Sequence, residues 1–321
     1  MMMMSSVLTG MSQPVKIYFS SVLMHHSAMK NLIETLQLKL SNAGYIADKD
    51  LVTTLVLMEQ LGRPLLVEGE AGVGKTEIAK VLAKIYDCSL IRLQCYDGLD
   101  ANNAVYEWNY THQLLSIKLL EGSKESLDQR EAHIFNEEYL LERPLLKAIR
   151  QKTPPVLLID EIDRTDEAFE AFLLELLSDF QITIPELGTI HALSVPRVVL
   201  TSNGTRELSD ALRRRCLYHY LDYPDPEKEL LIVRSRIPGI ETNLSKQIVS
   251  FVQALRESEL RKRPGVAETL DWSAALLGLG VNDLKNNIDI IYQTRACLLK
   301  TQDDMTIFAR TLINRLVDAV L

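Results

Sequence analysis

The run Gly69-Glu70-Ala71-Gly72-Val73-Gly74-Lys75-Thr76 holds the residue types a polyphosphate needs, at the spacing it needs them. Its glycines let successive backbone N–H groups turn inward around phosphate, and a helix behind them aims the positive end of its dipole at the same place. Lys75 brings a full charge toward the β- and γ-phosphates, and the Thr76 hydroxyl suits Mg²⁺. The plainer reading is a glycine-rich turn that matches by chance. Against it stand Leu65-Leu66-Val67 before the loop and Ile78-Ala79-Lys80-Val81-Leu82 behind it, which supply the strand and the helix this chemistry requires.

A second acidic element extends binding toward hydrolysis. Val156-Leu157-Leu158-Ile159 reads as a strand buried on both faces, and it ends in Asp160-Glu161, where ligands gather in parallel sheets. Asp160 is placed to hold Mg²⁺ through water, and Glu161 to orient or deprotonate an attacking water; taken alone, Glu161 also reads as a cap on the next helix. The strand Arg197 to Ser202 ends in Asn203-Gly204, so Asn203 either contacts a γ-phosphate or its water, or simply opens a tight turn. Arg213-Arg214-Arg215 closes a helix. It is either a solvated end that favours the helix dipole or the source of an arginine finger. A finger at the edge of the molecule acts best on a neighbour's nucleotide, which requires subunits packed head to tail into a ring.

These groups need a scaffold, and the patterning supplies one. Short aliphatic strands at about 64–68, 89–94, 155–160, 197–203 and 217–222 alternate with helices at about 75–86, 136–151, 166–179 and 206–214. Such alternation implies an α/β fold with a mostly parallel sheet and helices on both faces. Ahead of it, helical spacing runs from Leu32 to Leu40, and a second helix covers about Lys49 to Leu61, with Asp48 or Asp50 as cap and Gly62 as terminator. Two stretches interrupt the alternation: residues 97–135, where Tyr106, Trp108 and Tyr110 cluster, and a β-hairpin at 181–193. After Tyr223-Pro224-Asp225-Pro226 the strands stop, and Glu227 to Leu321 reads as helical. The domains are therefore an N-terminal extension over 1–30 that need not be ordered, a nucleotide-binding domain over 31–226 and a helical domain over 227–321.

Composition narrows the function classes. A chain of 321 residues buries a sizeable core, and 43 acidic against 35 basic residues give a net charge of −8, a field unfavourable for nucleic acid. Cys88, Cys95, Cys216 and Cys297 are scattered without a CxxC pair, which fits a reducing cytoplasm better than a structural zinc site. No stretch approaches the ~18 to 20 apolar residues of a membrane span, and Met1 to Met4 lack the form of a signal peptide. The repeated methionines leave the start codon open.

The phosphate loop at 69–76 (Walker A), the acidic strand at 156–161 (Walker B), Asn203, Arg215 and the helical C-terminal part together resemble an AAA+ ATPase, and within that superfamily the MoxR family. The hairpin at 181–193 corresponds to that family's insertion before its first sensor, and 97–135 to its insertion in the second helix. The runs Leu90 to Asp100, Tyr106 to Tyr110 and Ala267 to Trp272 are similar to the carbon monoxide dehydrogenase maturation (CoxD-like) subgroup. The resemblance covers about residues 31 to 290. It implies a P-loop three-layer αβα sandwich with a small helical lid, and ATP and Mg²⁺ as ligands. By position it makes Asn203 the first sensor and Arg215 the arginine finger, with Arg214 a nearby substitute. For the second sensor it offers Arg263 or Lys262, or a lid that senses nucleotide without such a contact.

The function this implies is ATP-driven, chaperone-like remodelling of a protein client in the maturation of a metalloenzyme or complex. The resemblance also implies self-assembly, hexamers being usual, and often a partner with a von Willebrand A domain. Two competing readings are a nucleotide-gated scaffold with little turnover and a nucleic-acid motor or loader. The aromatic cluster at 106–110 either grips a client in the ring's pore or packs the insertion on its own core.

Overall fold

The structure is a computed structural model that describes residues 13–120, 134–308 and 310–320. Helices α1 (Gln13–Asn42) and α2 (Lys49–Leu61) lead to β1 (Leu65–Glu68), α3 (Lys75–Ile85) and β2 (Leu90–Gln94). The caps of α2 follow from residue chemistry: the Asp48 carboxylate accepts from the Leu51 N–H at 2.8 Å, and Gly62 ends the helix at φ 59°. An insertion follows, with α4 (Ala101–Val105), β3 (Tyr106–Trp108), α5 (Tyr110–Leu120) and β4 (Leu140–Glu142), before α6 (Pro144–Ile149) and β5 (Val156–Asp160). Next come α7 (Glu167–Asp179), the hairpin β6 (Gln181–Ile184) and β7 (Gly188–His191), β8 (Arg197–Ser202), α8 (Asp210–Arg215) and β9 (Leu217–Tyr220). The described C-terminal part is helical: α9 (Pro226–Arg236), α10 (Thr242–Arg256), α11 (Val266–Gly278), α12 (Ile288–Thr294), α13 (Gln302–Ile307) and α14 (Arg310–Val320).

Five strands form one sheet in the order β2-β5-β8-β1-β9, and every pairing is parallel. Strand alternation divides the aliphatic residues between two cores. Leu66, Ile91, Leu157, Ile159 and Leu200 face the layer that holds α6, α7 and α8. Leu65, Val67, Val156, Leu158 and Val199 face α1, α2 and α3. The result is the expected three-layer αβα sandwich. A third core, including Phe251, Trp272, Leu276 and Phe308, lies within the C-terminal helices, where Trp272 is fully buried and donates to Thr294 Oγ1 at 2.8 Å.

Three readings change. The helix expected at 136–151 is a 3₁₀ turn (Glu137–Tyr139), β4 and the short α6, because Leu140–Glu142 pairs antiparallel with Tyr106–Trp108 and Pro144 restarts the helix. That pairing extends the insertion's boundary past residue 135. Helix α1 begins at Gln13, well before the apolar periodicity at Leu32; residues 1–12 lie outside the described residues. The aromatic cluster divides: Trp108 is buried edge-on against Tyr106 and Phe135, while Tyr110 is exposed.

Candidate functional site

The phosphate loop joins β1 to α3, and two glycines show why it reads as it does. Gly69 passes so close to β9's exit that a Cβ would lie 2.1 Å from the Leu221 carbonyl oxygen. Gly74 holds φ 98° as it opens α3, a conformation L side chains resist. Lys75 is buried, and its Nζ donates to the carbonyls of Gly69 at 2.6 Å and Glu70 at 2.7 Å and to Asn203 Oδ1 at 2.8 Å. Burial lowers the Lys75 pKa, partly offset by the carboxylates of Asp163, Asp160, Glu70 and Glu161.

Asp160 ends β5 almost wholly buried, and three donors meet it: Thr76 Oγ1 at 3.1 Å, Thr201 Oγ1 at 2.5 Å and Arg92 Nη2 at 2.5 Å. Ile159 pairs with Leu200 in register, so the next residues along, Asp160 and Thr201, lie side by side. The same Thr201 hydroxyl accepts the Glu161 N–H at 2.9 Å. Glu161 has φ 58°, a left-handed conformation that costs a non-glycine residue about 1 kcal/mol. The Arg164 Nε meets Glu161 Oε2 at 2.8 Å. Asp163, the next acidic residue, is buried and accepts from the Thr205 N–H at 3.0 Å and Oγ1 at 2.6 Å. Two hydroxyls thus bind the acidic turn to β8 and the loop after it.

The fold brings Lys75, Thr76, Asp160, Glu161 and Asn203 into one cavity of about 370 Å³, roofed by α9 and the start of α11. It does not bring in Arg215, which is exposed at the end of α8, away from that lining. Arg63 fixes the backbone there by donating to the carbonyls of Arg214, Arg215 and Cys216. Lys262 and Arg263 do not line the cavity either. Instead the start of α11 rests on the phosphate loop: the Val266 N–H donates to the Gly72 carbonyl at 2.9 Å and the Ala267 N–H at 3.3 Å. Glycine is required on both sides, since a Cβ on Gly265 would lie 2.8 Å from Gly72 backbone atoms.

Thr76 and Asp160 supply hard oxygen donors suited to Mg²⁺. Among the described residues no group of three or more His, Cys, Asp or Glu gathers to hold a metal, so phosphate oxygens and water must complete any such shell. Sequence reading missed Thr201, Arg92 and Arg164. Thr201 stands near the end of β8, two residues before Asn203, but only the register with β5 shows what it touches.

The class follows from where the third motif falls. In this sheet β8 lies between β1 and β5, so Asn203 stands between the phosphate loop and the acidic pair; this is the AAA+ form of the P-loop NTPase fold. Residues 64–216 match the family model described as AAA domain (dynein-related subfamily), and with the site this match supports an AAA+ ATPase. The chain is 27% identical over 214 residues to the gas vesicle ATPase GvpN of Haloferax mediterranei, a match over 61% of this chain and 57% of that protein. It is 27% identical over 226 residues to an uncharacterized protein of Staphylococcus aureus, covering 68% of this chain and 77% of the relative. Among solved structures, a protein of Cytophaga hutchinsonii aligns with TM-score 0.47 and 17% identity, over 95% of this chain and 99% of that one. The Thermotoga maritima RuvB Holliday junction branch migration motor aligns with TM-score 0.40 and 19% identity, over 77% and 67%. These are faint overall likenesses, and the assignment of fold rests on strand order and motif placement.

Proposed function

We propose that this chain binds Mg-ATP and hydrolyses it, and that it does so as a ring-forming, MoxR-type remodelling ATPase. The observation that carries the first part is the convergence of Lys75, Thr76, Asp160, Glu161 and Asn203 in one cavity, with Thr201 bonded to both acidic residues. Lys75 and the loop N–H groups bind phosphate, and Thr76 and Asp160 hold Mg²⁺, which would supply charge neutralisation at the phosphates. Arg92 donates to Asp160 Oδ2 and would have to share that carboxylate with Mg²⁺. Glu161 activates the water and Asn203 reads the γ-phosphate. Arg215 acts on the nucleotide of the next subunit; its exposure, and its place outside the lining of the home cavity, support that role.

A protein client is supported by the exposed apolar side chains Leu114, Leu115, Ile117 and Leu119 on α5, a surface of the kind that meets other proteins. Maturation of a metalloenzyme or complex, with a von Willebrand A domain partner, is the finer form of this reading, and the cytoplasm its compartment. No helix among the described residues is long and apolar enough to cross a membrane. Burial pushes the Cys95 and Cys216 thiols up to about 12, so neither is a thiolate at neutral pH.

One observation favours the scaffold reading: Arg164 pairs with Glu161, the group that must be free to activate water. Steady-state ATPase rate per subunit, measured with Mg²⁺ across a wide range of protein concentration, separates the two. The remodelling ring predicts a rate that climbs with concentration in the wild type and stays near background in Arg215→Ala, a loss of about a thousandfold or more. Tight nucleotide binding without turnover at any concentration would establish the scaffold.

A further inference from the structure

Asn203 stands one residue beyond the sheet's last register partner on β8, the pairing of Ser202 with Glu68, so the strand ladder does not fix it. The chain turns at once: Gly204 holds φ 69°, and its N–H donates to Ser202 Oγ at 3.0 Å. What holds the segment from Asn203 to α8 is a pair of buried carboxylates, and both come from the chain that follows Glu161. Asp163 takes the near end, where its Oδ2 accepts the Thr205 N–H at 3.0 Å and the Thr205 hydroxyl at 2.6 Å. Glu170, on α7, takes the far end by accepting the Ser209 N–H at 2.8 Å and pairing with Arg206.

The two carboxylates differ in how well they are satisfied. Both oxygens of Glu170 have partners, as a purely structural tie requires. Asp163 is equally out of water, yet its Oδ1 is buried and closes no hydrogen bond among the described residues. Burial works against its charge, and the Thr205 hydroxyl and N–H, aided by the Asn203 N–H, still hold the carboxyl below the usual range. The Asn203 N–H thus pulls on the carboxylate without completing a bond to it. Asp163 also comes first among the carboxylates that offset burial at Lys75. It therefore bears on both members of the Lys75–Asn203 bond, on one by charge and on the other through Thr205.

We infer that Asp163 is the positioning residue for the γ-phosphate contact: through Thr205 it fixes where the Asn203 amide stands, and it does so from the turn that begins at Glu161. The amide and the water-activating carboxylate are thereby held on one body, Glu161 by Thr201 of β8 and Asn203 by Asp163 of the acidic turn. This rests on the nucleotide reading above, in which Asn203 meets the γ-phosphate.

Titration of the full-length chain with N-methylanthraniloyl-ADP and with its ATPγS counterpart, Mg²⁺ present, tests this in Asp163→Asn, Thr205→Val, Thr205→Ser, Asn203→Ala and the double variant of Asp163→Asn with Asn203→Ala. Asp163→Asn is expected to weaken the triphosphate about tenfold and to change the diphosphate less than about threefold, since ADP lacks the phosphate that Asn203 reads. Thr205→Val is expected to act in the same direction, and Thr205→Ser, which keeps the hydroxyl, to restore most of the triphosphate affinity. Added to Asn203→Ala, Asp163→Asn is expected to cost less than about twofold more, because the group it positions is already gone. Equal weakening of both nucleotides marks a structural tie and overturns the inference, as does a loss that multiplies in full with that of Asn203→Ala, or wild-type triphosphate affinity in Asp163→Asn. Unfolding temperatures measured without nucleotide identify any variant that has lost its fold, and the two Thr205 variants then carry the comparison. Wild-type protein that binds both nucleotides equally well removes the γ-phosphate contact, and with it this inference, while leaving nucleotide binding intact. Binding of neither overturns the nucleotide reading itself.

Discussion

Thr201 illustrates how much of this site rests on one hydroxyl. Its Oγ1 donates to Asp160 and accepts from the Glu161 N–H, so it orients the carboxylate proposed to hold Mg²⁺ and the backbone of the residue proposed to activate water. Replacing it with valine keeps the shape of the buried strand but leaves Asp160 short of a donor and the Glu161 N–H short of an acceptor, a loss of about 1–3 kcal/mol. Thr201→Val is therefore expected to lower kcat about tenfold or more while KM changes less than about threefold, and Thr201→Ser to restore most of the rate. The side chain acts through its neighbours, so steady-state kinetics across MgATP concentration, which separate the two constants, are the deciding measurement. Lys75, Thr76, Asp160 and Glu161 were legible from the chain because the phosphate loop and the acidic strand end are local patterns. Thr201 was not, since the bonds that give it meaning join residues about forty positions apart.

The element that most depends on its backbone is α11. Its first N–H groups lie on the Gly72 carbonyl, and the buried pair Glu229–Arg256 holds the segment leading into it, with Arg256 Nε donating to the Pro264 carbonyl at 2.7 Å. A methyl group at Gly265 would collide with three Gly72 backbone atoms at 2.8 Å, and backbone yields less readily than a side chain. Gly265→Ala is expected to push α11 off the loop and weaken nucleotide about tenfold. Gly278→Ala, on the same helix with nothing within 4 Å of the added carbon, is expected to leave affinity unchanged. Nucleotide titration of the two variants side by side reads this directly. The sequence showed a break at Pro264-Gly265 and a helix after it; that the break is where the C-terminal helices touch the phosphate loop is a long-range fact.

At the scale of the whole molecule, the described chain places Asp160, Glu161 and Asn203 around one cavity and leaves Arg215 on the outside. If a neighbour's arginine completes each site, Arg215→Ala and Glu161→Gln damage different halves of the same interface. Each variant alone is expected to be nearly inactive. Mixed, they form some sites that pair an intact Glu161 with an intact Arg215, and about a quarter of the wild-type rate is expected if assembly is random and each site works independently. Mixing that restores no ATPase activity, in protein shown by light scattering to co-assemble, would assign Arg215 to its own subunit or to no catalytic role.

The sequence by itself determined the phosphate loop and the helix behind it, the acidic strand end, the five strands and the hairpin at 181–193, because each is written in contiguous residues at a period of two or near four. Tertiary structure alone decided the rest. It inserted β8 between β1 and β5, which made Asn203 a partner of Lys75; it broke the helix read at 136–151 by pairing Leu140–Glu142 with β3; and it kept Lys262 and Arg263 out of the cavity lining. Strand order and helix docking are set by burial summed over distant segments, and no local pattern records which distant segment a residue will meet.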